Sequence, residues 1–161
     1  MPTIRPATPT DYDAIWGLAR EAIAAGDVFA WDDTATRDEV LRWWGGPGAT
    51  AFVAETDGRV VGSSYLKPNQ AGRGSHVANA GFVVGAAGRG RGVGRAMGEH
   101  VLTAAAAAGY RAMQFNYVVS TNAPAVALWT SLGFRVVGTL PAAFRHPALG
   151  FVDVFVMFRE L

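Results

Sequence analysis

The chain has 161 residues, half of them hydrophobic, and a formal net charge of +1. That length and composition support one domain spanning 1–161 with a substantial core, and the near-neutral charge implies no broad cationic surface and no nucleic-acid partner. The absence of cysteine excludes disulfides, zinc–thiolate sites and thiol catalysis.

No apolar run reaches membrane-spanning length, and the start, Met1-Pro2-Thr3-Ile4-Arg5-Pro6, lacks a signal-peptide core. A cytoplasmic protein with no membrane partner is the expectation. Along the chain, Thr3–Ala7 reads as a first strand. Thr10-Asp11-Tyr12-Asp13 resembles a capping box with aspartate in its last position, and Ile15, Leu18, Ala19, Ala22 and Ile23 follow at helical spacing. The stretch 26–33 holds Phe29, Trp31, Asp32 and Asp33 without a strong period. Thr36-Arg37-Asp38-Glu39 is a complete capping box and opens a short helix carrying Val40, Trp43 and Trp44. Strands near 50–56 and 59–66 flank Asp57-Gly58, a strong tight-hairpin signal. After Lys67-Pro68-Asn69 and a glycine-rich loop, a strand runs from about His76 to Val84. A helix over 92–108, a strand near 112–118, a helix over 122–132 and a strand near 134–140 come next, and Phe151–Phe158 closes the chain as a strand. No repeat, linker or charge block interrupts this order.

The segment Arg89-Gly90-Arg91-Gly92-Val93-Gly94 joins the strand ending Phe82-Val83-Val84 to the long helix, whose Val93, Met97, Val101, Ala104 and Ala108 fall on one stripe. Glycines at 92 and 94 let the backbone curl so that amides converge, and the helix dipole adds partial positive charge there. Such a turn binds phosphate, and Arg89, Arg91 and Arg95 would add cationic donors. Spacing excludes two phosphate motifs. A Rossmann fingerprint needs a third glycine where Arg95 or Met97 stands, and a Walker A loop needs Gly-Lys, whereas the one lysine is Lys67.

What fits is R-x-x-G-x-G at Arg89, Gly92 and Gly94. Downstream, Asn122 is a helix N-cap, Ala125, Leu128 and Leu132 share a face, Gly133 is a left-handed stop and Phe134 starts a strand. The two segments together resemble the signatures of the GCN5-related N-acetyltransferases, with Trp129 where tyrosine is usual. The element order β-α-α-β-β-β-α-β-α-β-β is also that of the family, so the resemblance spans the chain. It implies an α/β (α+β) fold with a central mixed, mostly antiparallel sheet, flanked by helices and splayed between its fourth and fifth strands. It implies acetyl-CoA as co-substrate, with pyrophosphate on the turn 89–95, including Gly90 and Val93, and the pantetheine arm along Phe82, Val83 and Val84. Asn122 and Trp129 would stand beside it. A homodimer is expected because many relatives are homodimers.

Acetyl transfer needs an unprotonated amine, stabilised charge on the thioester oxygen and a departing thiolate. Trp129 is no practical acid. Tyr117 or Ser120 could serve, or the thiolate leaves without an acid; the last is the expectation, with Trp129 as a wall of the cofactor arm. Asn79 and Asn116 interrupt apolar strands, and a buried amide demands partners. They read either as backbone bridges at the splay or, preferred here, as catalytic and acceptor-binding dipoles. Segment 65–82, with Ser75-His76-Val77-Ala78-Asn79-Ala80-Gly81-Phe82, resembles the fungal acetyltransferases of the proline analogue azetidine-2-carboxylate, which implies a small cyclic amino acid. Phe29 and Trp31 would wall the acceptor pocket. His76 falls on the strand face opposite Asn79 and reads as structural, while Glu55 and Asp153 are alternative bases. No His/Asp/Glu group has metal-ligand spacing. The competing readings are a protein N-terminal or side-chain acetyltransferase, a catalytically silent acyl-CoA sensor and, more weakly, an RNA-binding module.

Overall fold

A computed structural model describes residues 1–161. Seven strands form one sheet: β1 (Thr3–Pro6), β2 (Thr50–Thr56), β3 (Arg59–Pro68), β4 (Val77–Val84), β5 (Ala112–Val119), β6 (Arg135–His146) and β7 (Gly150–Glu160). Their spatial order is β1-β2-β3-β4-β5-β7-β6, and every pairing is antiparallel except β4 with β5. The four helices are α1 (Tyr12–Ala25), α2 (Arg37–Gly45), α3 (Val93–Ala107) and α4 (Ala123–Ser131). Strand alternation divides the core. Val53, Tyr65 and Val83 meet Ile15 of α1 and Trp44 of α2 on one face. Phe52, Leu66, Ala78 and Ala80 meet Val101 and Leu102 of α3 and Trp129 and Leu132 on the other. No helix is long and apolar enough to cross a membrane.

Several local readings hold in detail. Thr36 caps α2 reciprocally with Glu39, and Asp57 and Gly58 take the positive φ angles of a tight hairpin turn. Others shift. The first capping box is Thr8 with Asp11, not Thr10 with Asp13, because Pro9 fixes the first helical position one turn earlier. Asp11 is held there by Arg5, whose guanidinium also binds Glu55 and keeps the Asp11 carboxyl well below the usual carboxylate range. On α3 the buried stripe continues from Val101 to Ala105, leaving Ala104 half-buried and Ala108 exposed. A helix of 3.6 residues per turn drifts off a strict four-residue spacing.

The largest departure is β6, which runs to His146 and turns 141–146 from expected loop into strand. Pro141 has no N–H to give to a strand ladder. It sits in a bulge between Leu140 and Phe144, where Ala142 has φ +50° and donates its N–H to Asp153 Oδ1 at 2.9 Å. A proline missing its donor costs nothing in such a bulge.

Candidate active site

β4 and β5 pair only at Val77–Ala112 and Ala78–Met113, then part. Asn79 stands at the fork. Its Nδ2 donates to the Gln114 carbonyl of β5 at 3.0 Å, and its Oδ1 accepts from the Tyr65 hydroxyl at 3.2 Å. A side-chain amide thus takes over from the backbone ladder where the strands separate. Tyr65 lies across Gly81, its register partner, where any Cβ would stand 2.3 Å from the ring. Its hydroxyl accepts from Trp43 Nε1 at 3.0 Å, and burial pushes its pKa up, so it stays a neutral donor to Asn79. A relay of fixed dipoles therefore runs Trp43, Tyr65, Asn79, Gln114.

The fork opens into a cavity of about 430 Å³. Phe29, Trp31, Trp43, Trp44 and Tyr65 wall one end, with Phe29 edge-on to Trp31 and Trp44. Asn79, Phe82, Phe115, Asn116 and Tyr117 line the middle, and Asn122, Ala125 and Trp129 the other end. None of the lining residues carries a charge. Asn79 and Asn116 share this cavity but not the same environment: Asn79 is buried, whereas Asn116 is exposed and bonded to Asn69 Oδ1 at 2.6 Å and Gln114 Nε2 at 2.9 Å. The irregularity of β5 between Phe115 and Val118 is what turns 116 and 117 outward. Trp129 packs on Phe82 and Phe115 at 4.6 and 4.8 Å between centroids.

Beyond the cavity lies the glycine-rich turn. Gly90 and Gly92 have φ of +71° and +76°, and a Cβ on either would meet open space. Gly92 is the N-cap of α3, and the first intrahelical bond runs from Ala96 N–H to its carbonyl, so the amides of Val93, Gly94 and Arg95 precede it and face outward unpaired. Gly94 is helical rather than part of the left-handed turn, and a Cβ there would stand 3.4 Å from Leu128 of α4, an ordinary contact. The three arginines diverge too. Arg91 is exposed, Arg89 reaches Glu21 at 3.5 Å, and Arg95 turns to Ser131 Oγ at 2.7 Å rather than to the turn. Of the residues expected to hold the cofactor, Phe82, Asn122 and Trp129 line the cavity, whereas Val83, Val84 and 89–95 do not. Val83 points its side chain into the α1/α2 core, leaving only its backbone at the fork.

A family model of the acetyltransferase (GNAT) family matches residues 15–134. The chain belongs to that family. Membership makes it an acyltransferase, an acetyl-CoA-dependent N-acetyltransferase. The protein is 46% identical to a GCN5-related N-acetyltransferase from Kribbella flavida, with TM-score 0.94 and 99% and 98% of the two chains covered. It is 26% identical to yncA of Salmonella typhimurium, solved with its cofactor acetyl-CoA, with TM-score 0.87 over 100% and 94% of the chains. N-acetyltransferase aca1 of Schizosaccharomyces pombe is 36% identical over 98 residues, 60% of this chain and 47% of that protein, so the match spans about half of the relative's length.

In this GNAT enzyme the alternative bases lie elsewhere. Glu55 is paired with Arg5, Asp153 holds the β6 bulge, and neither lines the cavity. His76 is exposed in the turn before β4, His100 packs edge-on to Phe52, and His146 accepts from the amides of Ala148 and Leu149. Tyr117 lines the cavity, but its hydroxyl donates to the Ala143 carbonyl; Ser120 is not in the lining. Trp43, Trp44 and Tyr65 were legible only as members of a helix and a strand. A double tryptophan on a short helix and a tyrosine two positions before the one lysine were the available signals.

Proposed function

We propose that this enzyme acetylates a small amino acid or secondary amine, with a proline analogue such as azetidine-2-carboxylate as the type of acceptor. The observation that supports it is the uncharged, aromatic-walled cavity of about 430 Å³ that meets the fork at Asn79. A charged polyamine or a lysine side chain would bury its ammonium there without a carboxylate partner, a costly arrangement. A compact amino acid brings its own carboxylate beside its ammonium, so its net charge is zero and the penalty is smaller.

The residues present fit acetyl-CoA. The outward amides of Val93, Gly94 and Arg95, with Gly90, Gly92, Arg89 and Arg91, make a cradle for its pyrophosphate. The β4 edge left unpaired from Asn79 to Val84 offers backbone donors and acceptors to the pantetheine arm beside Asn122 and Trp129. When bound, acetyl-CoA supplies an acetyl group activated as a thioester. The chain's part is to orient and exclude water: Asn79 is locked from both ends with an N–H to spare, Asn116 presents its amide at the rim, and Phe29 and Trp31 close the acceptor end.

No side chain in the cavity is placed as a dedicated acid for the leaving thiolate. Tyr117→Phe and Ser120→Ala are therefore expected to keep most of kcat, and the rate should climb with pH as the acceptor amine loses its proton. No falling limb is expected near a phenol pKa of about 10. A loss of roughly a hundredfold in either variant identifies the acid instead.

The acceptor is tested by competition. Equal concentrations of azetidine-2-carboxylate, hydroxyproline isomers, lysine, a polyamine and a peptide are offered together, and products are read by mass spectrometry. The cyclic amino acids are expected to dominate. If the peptide or the primary amines win, the acceptor reading fails and acetyl transfer alone stands. If no acceptor in the panel releases free CoA, the small-acceptor reading fails.

A further inference from the structure

The cavity lining holds no charge, yet a lysine stands against its wall. Lys67 is the one lysine in a chain whose other strong cations are arginines. Its Nζ sits 3.1 Å from the centroid of Trp43 and 5.1 Å from that of Tyr65, two rings that line the acceptor end. The β3–β4 register sets Lys67 directly opposite Asn79, so the two side chains share a sheet face, and Tyr65, two residues earlier, shares it as well. Tyr65 and Asn79 line the cavity, and Lys67, outside the lining itself, stands against the Trp43 wall on the same sheet face.

Nothing in the chain neutralises this ammonium. Lys67 is half-buried, makes no side-chain hydrogen bond and enters none of the six ion pairs. A lysine at a strand end could extend its head into water; this one lies on aromatic faces, and burial pushes its pKa down. Its three donors remain available, and a partly desolvated cation gains most from an anion brought to it.

We propose that Lys67 is the carboxylate-binding residue of the acceptor site and commits the enzyme to amino acids over simple amines. This rests on the small-acceptor reading above. The acceptor's carboxylate docks on the Lys67 ammonium beside Trp43, and its nitrogen reaches toward Asn79, across the ladder from that lysine. The aromatic faces hold the ammonium in place before the acceptor arrives, so its position is set in advance.

The test compares azetidine-2-carboxylate with its carboxamide, which is nearly the same size and carries no carboxylate charge, and with unsubstituted azetidine. In the wild type, kcat/KM for the acid is expected to exceed that for the carboxamide by about tenfold to a hundredfold, the range of a charge-assisted hydrogen bond. In Lys67→Met, which keeps the apolar stem, that ratio should fall to about one, while Lys67→Arg retains the preference for the acid. A purely structural lysine lowers turnover of acid and carboxamide together and leaves the ratio intact; that result overturns the proposal. So does a wild type that acetylates the carboxamide or azetidine as well as the acid, although small-amine acetylation then survives. If none of the three is acetylated while acetyl-CoA binds, the acceptor reading itself falls, and this proposal with it.

Discussion

Gly92→Val is expected to give a folded protein that no longer binds acetyl-CoA. Gly92 has φ +76° at the first position of the turn's exit into α3, a conformation that a β-branched residue adopts only at a cost of about 1–2 kcal/mol. No atom lies within 4 Å of the added Cβ, so the core is not disturbed and the strain falls on the turn alone. The turn relieves it by rotating the peptide that aims the Val93 amide. Two lost hydrogen bonds to a charged phosphate, at roughly 1.5–3 kcal/mol each, correspond to about a hundredfold or more in affinity. Calorimetric titration should show that loss, with melting lowered by only a few degrees. Gly94→Ala is the control. Its site is helical and its Cβ would make an ordinary contact with Leu128, so binding should weaken far less. Wild-type affinity in folded Gly92→Val sinks the assignment of this turn to the pyrophosphate.

Asn79→Ala should be the most damaging change on the acceptor side. It strips the Tyr65 hydroxyl of its acceptor and the Gln114 carbonyl of its donor. Leaving buried groups unpaired costs roughly 1–3 kcal/mol, and the same change frees β4 and β5 to shift at the fork. Displacing reacting groups by about 1 Å is enough for a hundredfold in rate. We therefore expect kcat/KM to fall about a hundredfold or more, with lower stability and acetyl-CoA affinity within a few-fold of wild type. Asn116→Ala, on an exposed residue whose partners can turn to water, should cost less, about tenfold. Reduced stability with unchanged kcat/KM in Asn79→Ala would leave that residue as a strand bridge only.

These expectations differ from what the two asparagines looked like in sequence. Both interrupt apolar strands, and both line the cavity, but only Asn79 is buried. Alternation along a strand tells which residues share a face; it does not tell which face a helix will cover, nor that β5 loses its regular pleat after Phe115. The glycine turn shows the same limit on a smaller scale. That a phosphate-sized cradle precedes a helix was readable from Arg89 to Gly94, but that Gly90 and Gly92 take left-handed backbone while Gly94 is already helical was settled only in the folded turn.

The sequence by itself determined the features whose physics is local. The Thr36–Glu39 capping box, the Asp57-Gly58 turn, the Asn122 cap and the glycine-rich helix start each act within a few residues, and together with element order they sufficed for the fold family. Only the tertiary structure decided what depends on partners far along the chain. Tyr65 is tied to Trp43 across 22 residues, Asn79 to Gln114 across 35, and Lys67 is held on the ring of Trp43 by a helix that the strand's own sequence does not specify. The unpaired lysine, the relay and the uncharged cavity exist because α2 packs on that face of β3 and β4 and because the ladder stops at Ala78. Burial and hydrogen-bond partnership are properties of the packed surface, and no spacing rule along a single strand contains them.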